Sequence, residues 1–206
     1  MAAKAPPPGS LRLTGGSLRG RRLAVPPGQG VRPTSDRARE TLFNVLTNRF
    51  KRPGGLSVLH EARVLDAFAG TGALGLEALS RGAAFAAFAE NSRAHAAVLQ
   101  ANIDALGLAD GLTSVRATAG AFSAEGGFGL ILADPPCAQG PAAVAALLAD
   151  GGLWHRETLL VWEGDGDIDR SLPGWSLLHA KAVGQTTFSF HAPEGSRDWP
   201  AVDRGR

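Results

Sequence analysis

From residue 62 onward, short apolar runs of strand length alternate with stretches of helical periodicity, and this alternation limits the fold more than any other feature of the chain. "ARVLDAF" reads as a strand and Gly72 to Ser80 as a helix closed by Gly82. "AFAAFAE" reads as the next strand, followed by a helix from Ser92 to Leu106 that turns Ala96, Leu99, Ile103 and Leu106 inward and has Gly107 behind it. "LTSVRA", "GLILAD" and "TLLVWEG" supply further strands, Pro141 to Ala149 a helix with proline in its first turn, and "WSLLHAKAVGQTTFSFH" two strands joined near Gly184. Six or seven strands with interleaved helices define an α/β fold: an open, mostly parallel sheet covered on both faces, with ligands expected at the carboxyl ends of its strands.

The 206 residues, 44% of them apolar, suffice for one substantial core. Three parts are expected: a disordered tail over residues 1–9, a basic N-terminal extension over 10–55 and the main α/β domain over 56–206. In the extension, Leu11, Leu13, Leu23 and Val25 alternate with polar residues around Gly-Gly and Arg-Gly-Arg-Arg, a pattern suited to a β-hairpin. Thr34 and Ser35 are then candidate N-caps for a helix with Ala38, Leu42, Val45, Leu46 and Phe50 on one face.

Charge is distributed unevenly. Residues 1–52 hold eleven of the 21 Lys and Arg against only Asp36 and Glu40, so this quarter carries +9 and the remainder −7. Arginine dominates, which suits bidentate contact with phosphate, and Arg19, Arg21, Arg22, Arg32, Arg37 and Arg39 are the candidates to meet a polyanion. One cysteine, Cys137, excludes an intramolecular disulfide and a cysteine-cluster zinc site, and the five histidines lack ligand spacing, so no metal is expected. The first residues, "MAAKAPPPGS", contain no apolar run resembling a signal peptide, no segment approaches the roughly 18 apolar residues of a membrane span, and the cytoplasm is the expected location.

Two strand ends carry the chemistry. In "VLDAFAGTGALG" the glycines Gly70, Gly72 and Gly75 have the dinucleotide-binding spacing, and Glu90 lies twenty positions past Gly70, where a ribose partner belongs. That spacing suits any adenosine cofactor whose body approaches the backbone. Asp66, four residues before the first glycine, is foreign to the NAD pattern; it can orient the turn or accept from a ligand amine. The second strand end is Asp134-Pro135-Pro136, for which a dehydrogenase has no use. Asp-Pro-Pro-aromatic is the signature of methyltransferases that act on exocyclic amines of nucleobases. Such an amine is a poor nucleophile because its lone pair is delocalised into the ring. The Asp134 carboxylate and the Pro135 carbonyl can accept both amine hydrogens and stabilise the positive charge that develops on nitrogen. The prolines stiffen the loop and offer no competing donor.

With these residues in view, the chain resembles the bacterial RsmD-type methyltransferases, which methylate N2 of a guanine in 16S ribosomal RNA with S-adenosylmethionine. The likeness runs from "RLTGGSLRGRRLAVPPGQGVRPTSDRARETLFNVL" through "VLDAFAGTGALGLEALSRGA" and "LILADPP" to "KAVGQTTFSF". It implies a seven-stranded Rossmann-like methyltransferase fold with the N-terminal hairpin and helix as an extension. It also implies a cofactor site of Asp66, Phe68, Gly70, Gly72, Glu90, Asn91 and Thr118, a catalytic Asp134, Pro135 and Pro136, and a monomer acting on ribosomal RNA or the small subunit.

Three positions depart from the family pattern. Cys137 stands where an aromatic ring would stack on the extruded base, so either another ring, with Phe122, Trp154 and Phe188 as candidates, supplies the wall or the substrate presents its base already unstacked. "VRATAGAF" has Thr118 and no Asp for the adenine, and Val183-Gly184 replaces Tyr-Gly. An adenine-N6 methyltransferase, a nucleotide-dependent oxidoreductase and a non-catalytic RNA-binding assembly factor are the alternatives.

Overall fold

The computed structural model describes residues 11–26, 34–108, 111–136, 140–165, 171–196 and 199. The expected disordered tail therefore lies outside the described residues, as do Arg32 and Cys137. In chain order the elements are β1 (Leu11–Arg12), β2 (Arg22–Leu23), α1 (Asp36–Asn48), β3 (Arg63–Asp66), α2 (Ala73–Ser80), β4 (Phe85–Ala89), α3 (Arg93–Leu106) and β5 (Thr113–Arg116). A 3₁₀ turn, Ala119–Glu125, leads to β6 (Phe128–Ala133), α4 (Gly140–Ala149), β7 (Trp154–Asp165), β8 (Trp175–Val183) and β9 (Thr186–Pro193).

Seven strands form one sheet in the order β5-β4-β3-β6-β7-β9-β8. The five strands from β5 to β7 run parallel, and β9 inserts antiparallel between β7 and β8. The chain builds outward from β3 to β5, then returns to place β6 on the other side of β3. That reversal opens a crevice at the carboxyl ends of β3 and β6, the position at which doubly wound sheets bind ligands.

Strand periodicity divides the core cleanly. Val64, Leu130, Leu132, Leu159 and Val161 face α1 and pack on Leu42, Phe43 and Leu46, whereas Leu65, Ile131, Ala133, Leu160 and Trp162 face the other way, toward Val144 and Leu148 of α4. The runs are apolar throughout because both faces are covered. Ser35 caps α1 by accepting from Ala38 N at 3.2 Å, and Ser92 caps α3 through His95 N at 3.4 Å. Phe43 is fully buried beside the residues expected for the inner face of α1, while Val45 is only partly covered. On α3, Asn102 joins the inner face and Ala96 does not.

The extension shares cores with the sheet. β1 and β2 pair antiparallel, and Leu11, Leu13 and Leu23 pack on Leu76 and Leu79 of α2 and on Phe88. The loop between them is tied to the end of α2: Ser17 N donates to Ser80 O at 2.7 Å, Leu18 N to Ser80 Oγ at 3.0 Å, and Ser80 Oγ to Gly15 O at 2.6 Å. These bonds fix the backbone of the basic loop against α2.

One expectation is corrected here. Arg39 is not free to meet phosphate: it is 0% exposed and donates to Thr34 O, to Arg12 O and to Asp36 Oδ1, with its Nε 3.6 Å from Glu77 Oε2. Glu77, equally buried, accepts from Thr14 N at 2.8 Å, Thr14 Oγ1 at 2.7 Å and Arg81 Nε at 2.8 Å. A charge lying inside an apolar stripe is tolerated because an opposite charge and backbone oxygens surround it, and sequence periodicity is blind to such partners.

Candidate active site

The crevice is built by the turns that follow β3, β4 and β6. After Asp66, the chain turns through Gly70 at φ +55° and Gly72 at φ +83°, and α2 begins at Ala73. The glycines do different work. A Cβ on Gly72 would lie 2.3 Å from Leu99 Cδ1, and one on Gly75 would lie 2.4 Å from Phe88 Cε1, so these two admit close helix packing; a Cβ on Gly70 would meet nothing. The Gly70 face is therefore the side of the turn open to a ligand.

Two carboxylates hold this turn. Asp66 is 1% exposed and accepts from Gly75 N at 2.9 Å. Glu90, at the end of β4, accepts from Gly70 N at 2.8 Å and from Ser92 N at 2.7 Å, with His95 Nδ1 at 3.8 Å. Asn91 and Thr118 are exposed on the loops that follow β4 and β5, and Phe68 is half-buried on the turn itself. Asp66, Phe68, Gly70, Gly72, Glu90, Asn91 and Thr118 thus all lie along the carboxyl edge of β3, β4 and β5.

Asp134 follows β6 directly, on the strand that pairs with β3 (Asp66 opposite Leu132) and with β7 (Ala133 opposite Trp162). Pro135 beneath it is buried and Pro136 is exposed. Asp134 itself is open at the lip of the crevice, yet protein crowds its carboxylate. That desolvation and the nearby Asp165 raise its pKa to about 6. Burial pushes Asp66 further, to about 7; the Gly75 N–H opposes the rise, and Asp134 and Glu90 add to it. The next strand end carries Glu163, 7% exposed, which accepts from Thr34 Oγ1 at 2.7 and 2.9 Å. Burial, then Asp134, lifts it to about 8.

Asp66, Glu90, Asp134 and Glu163 therefore form an acidic crescent in which Asp66 feels Glu90 and Asp134, and Glu163 feels Asp134. Among the described residues no three acidic, histidine or cysteine side chains converge closely enough to hold a metal ion. A cationic organic ligand relieves this repulsion. A pyrophosphate-bearing dinucleotide would add to it.

None of the three candidate rings is available to replace the missing aromatic. Phe122 and Phe188 are 0% exposed in the core, and Trp154 opens β7 at the end of the sheet opposite Asp134, its Nε1 donating to Leu148 O. Sequence distance to Asp-Pro-Pro carried no information about depth. Arg19, Arg21, Arg22 and Arg37 are exposed, and Arg21 is pinned by donation to Ala105 O.

Four residues of the site region escaped the sequence reading. Glu163 ends "LLVWE" as Asp134 ends "LILAD", a parallel that could have found it. Thr34, expected as a candidate N-cap, leaves that place to Ser35 and turns its hydroxyl to Glu163, and Asn102 gave no signal because its partners are remote: it accepts from Ala24 N at 2.7 Å and donates to Ala24 O at 3.1 Å and Thr71 O at 3.0 Å, joining the extension to the glycine turn. Arg12 sits directly opposite Arg22 across β1 and β2.

This strand order, with a glycine turn after β3 and an Asp-Pro-Pro loop after β6, defines a Rossmann-like methyltransferase fold. The chain belongs to the family described as conserved hypothetical protein 95, whose model matches residues 11–192. It is 37% identical to ribosomal RNA small subunit methyltransferase D of Escherichia coli strain K12, covering 90% of this chain and 91% of that one. It is 31% identical to the protein of the same name from Haemophilus influenzae, over 89% and 94% of the two chains. Among solved structures, a candidate methyltransferase from Escherichia coli, yhhF, superposes with a TM-score of 0.73 at 38% identity, covering 90% of this chain and 99% of that one. A Thermus thermophilus protein, TTHA0928, does so with a TM-score of 0.70 at 31% identity, over 87% and 98%.

Proposed function

We propose that this protein methylates the exocyclic N2 amine of a guanine in 16S ribosomal RNA, with S-adenosylmethionine as donor. The observation that carries the reading is the position of Asp134, a crowded carboxylate at the open lip of the crevice, one strand from the Asp66 turn. The residues fit the donor: Asp66 and Glu90 offer acceptors around a turn whose Gly70 face is open, and the crescent favours a positive ligand. When bound, the cofactor supplies an electrophilic methyl group on a sulfonium. Asp134 and the Pro135 carbonyl accept the two amine hydrogens, localise the lone pair and stabilise charge arriving on nitrogen; Asp134 then receives the proton that the methylated amine sheds.

The extension supports a polyanionic substrate. Like charges directly opposite in an antiparallel pair repel, and Arg12 and Arg22 occupy such a pair, with Asp36 3.7 Å from Arg12 Nε. A phosphate shared between them removes the repulsion. Arg19, Arg21 and Arg37 extend the same basic surface. The chain would act as a monomer in the cytoplasm, where small subunits are assembled. Incubation with 16S ribosomal RNA and methyl-labelled cofactor, followed by nucleoside analysis, tests the reading: labelled N2-methylguanosine is expected. Labelled N6-methyladenosine would move the target to adenine, and absence of label in any nucleoside would leave a binding factor.

A further inference from the structure

We propose that Glu163 is a positioning residue of the transfer, joining the N-terminal extension to the Asp134 end of the crevice and adding its charge behind the target amine. The inference rests on the function proposed above. Three observations carry it.

Glu163 occupies on β7 the place that Asp134 follows on β6, since Ala133 and Trp162 are partners in register and each carboxylate is the next residue. Its side chain is buried and receives the Thr34 hydroxyl on both oxygens. Thr34 also offers its carbonyl to the buried Arg39, so the residue just ahead of the α1 cap is tied at once to β7 and to the helix interior. The extension that carries the exposed arginines thus ends on the carboxylate beside the reaction centre. A surface loop has no need of a buried carboxyl to hold it, because a hydroxyl facing solvent finds water at no cost.

The charged and polar groups that act on Glu163 are Thr34 ahead of α1, Arg39 on α1, Asp134 after β6 and Asp165 on β7 itself, while β9 sets the apolar Phe188 opposite it. Glu163 titrates near 8 and Asp134 near 6. The two carboxyls repel each other, so near neutrality the pair carries about one negative charge between them. Above pH 8 a second charge appears behind the amine, where it favours the arrival of positive charge on nitrogen. The hydrogen bond from Thr34 favours the ionised acid, so losing it drives the Glu163 titration upward.

The experiment is single-turnover methylation of 16S RNA by the full chain between pH 5.5 and 9, with Glu163→Gln, Glu163→Ala and Thr34→Val variants. The wild-type rate constant should rise once near pH 6 and again near pH 8. Glu163→Gln, which keeps an oxygen for Thr34, should retain the lower rise and lose the upper. Glu163→Ala should raise the KM for RNA tenfold or more, and the Gln variant should recover most of that loss. Thr34→Val should shift the upper rise to higher pH. Cofactor affinity and the cooperativity of thermal unfolding should stay near wild type in all three, which separates positioning from misfolding. An upper rise missing in the wild type, or surviving in Glu163→Gln, overturns the proposal, as does a folded Glu163→Ala with unchanged KM. If the wild type methylates no RNA, the functional reading fails, and the tie is then decided on the protein alone. A carboxyl-carbon NMR titration should show the Glu163 midpoint rising in Thr34→Val; an unmoved midpoint rejects the tie.

Discussion

Cofactor binding should release a proton, and Asp66 sets how much. In the free protein burial and two neighbouring carboxylates raise its pKa to about 7, so near neutrality about half the molecules carry a proton on a group that a cationic ligand needs ionised. Binding through the anion then follows the ionised fraction. With a midpoint of about 7, apparent affinity for S-adenosylmethionine should be about eightfold weaker at pH 6 than at pH 7.5, a window in which the ligand's own amine stays largely charged. Calorimetry in buffers of different ionisation enthalpy should find about 0.9 proton released per cofactor at pH 6 and about 0.5 at pH 7. Asp66→Asn can still accept from Gly75 N, so the turn should keep its shape. It should bind about 10- to 100-fold more weakly, the loss expected for a hydrogen bond to a charged group, and the pH dependence should flatten. Affinity that is level from pH 6 to 7.5, with no proton release, would refute the role given to Asp66.

Asp134→Ala should slow methyl transfer by ~10² or more with cofactor affinity little changed, as read by comparing turnover with calorimetry. Replacing Arg19, Arg21 and Arg22 by Gln should weaken RNA binding and reduce its log-log salt slope by about 0.7 to 0.9 for each phosphate no longer neutralised, measured by filter binding. Arg39→Ala should instead act on stability, costing about 1 to 3 kcal/mol in denaturant unfolding because Thr34 O and Arg12 O lose a buried donor while Glu77 keeps Arg81, whereas Arg19→Ala should cost little. Because Asp66, Asp134 and Glu163 all have folded pKa values raised above 3.8, 3.8 and 4.5, the folded chain binds protons more tightly than the unfolded one. Their contribution is greatest below pH 4 and declines as pH rises from about 4 to 8, so this part of the stability should fall across that window, as read by thermal melts of the cofactor-free protein.

Much of the parallel part of the fold was open to sequence reasoning because β4 and β6 are unbroken apolar runs and α3 carries a cap at each end. Ser92 and Gly107 marked α3 to the residue. The glycine turn after β3 was readable for a related reason: Gly70 and Gly72 adopt the positive φ that their spacing after a strand suggests. What escaped depends on partners distant in sequence. Arg39 looked like surface charge because Glu77, Thr34 and Arg12 meet it only in the folded chain. Asn102 looked like an ordinary polar residue at the edge of a helical stripe, and its three bonds reach residues 31 and 78 positions away. No choice among Phe122, Trp154 and Phe188 could be made from the sequence, because depth in a doubly wound core is set by packing partners remote along the chain.

The central claim is that Asp134 directs methyl transfer to a guanine amine of 16S ribosomal RNA. Nucleoside mass spectrometry with site mapping tests it most directly, on 16S RNA from cells lacking the gene and from cells in which it is restored as the wild type or as Asp134→Ala. The account predicts that one N2-methylguanosine disappears with the gene, returns with the wild type and stays absent with the variant. A 16S modification pattern identical in all strains would contradict it.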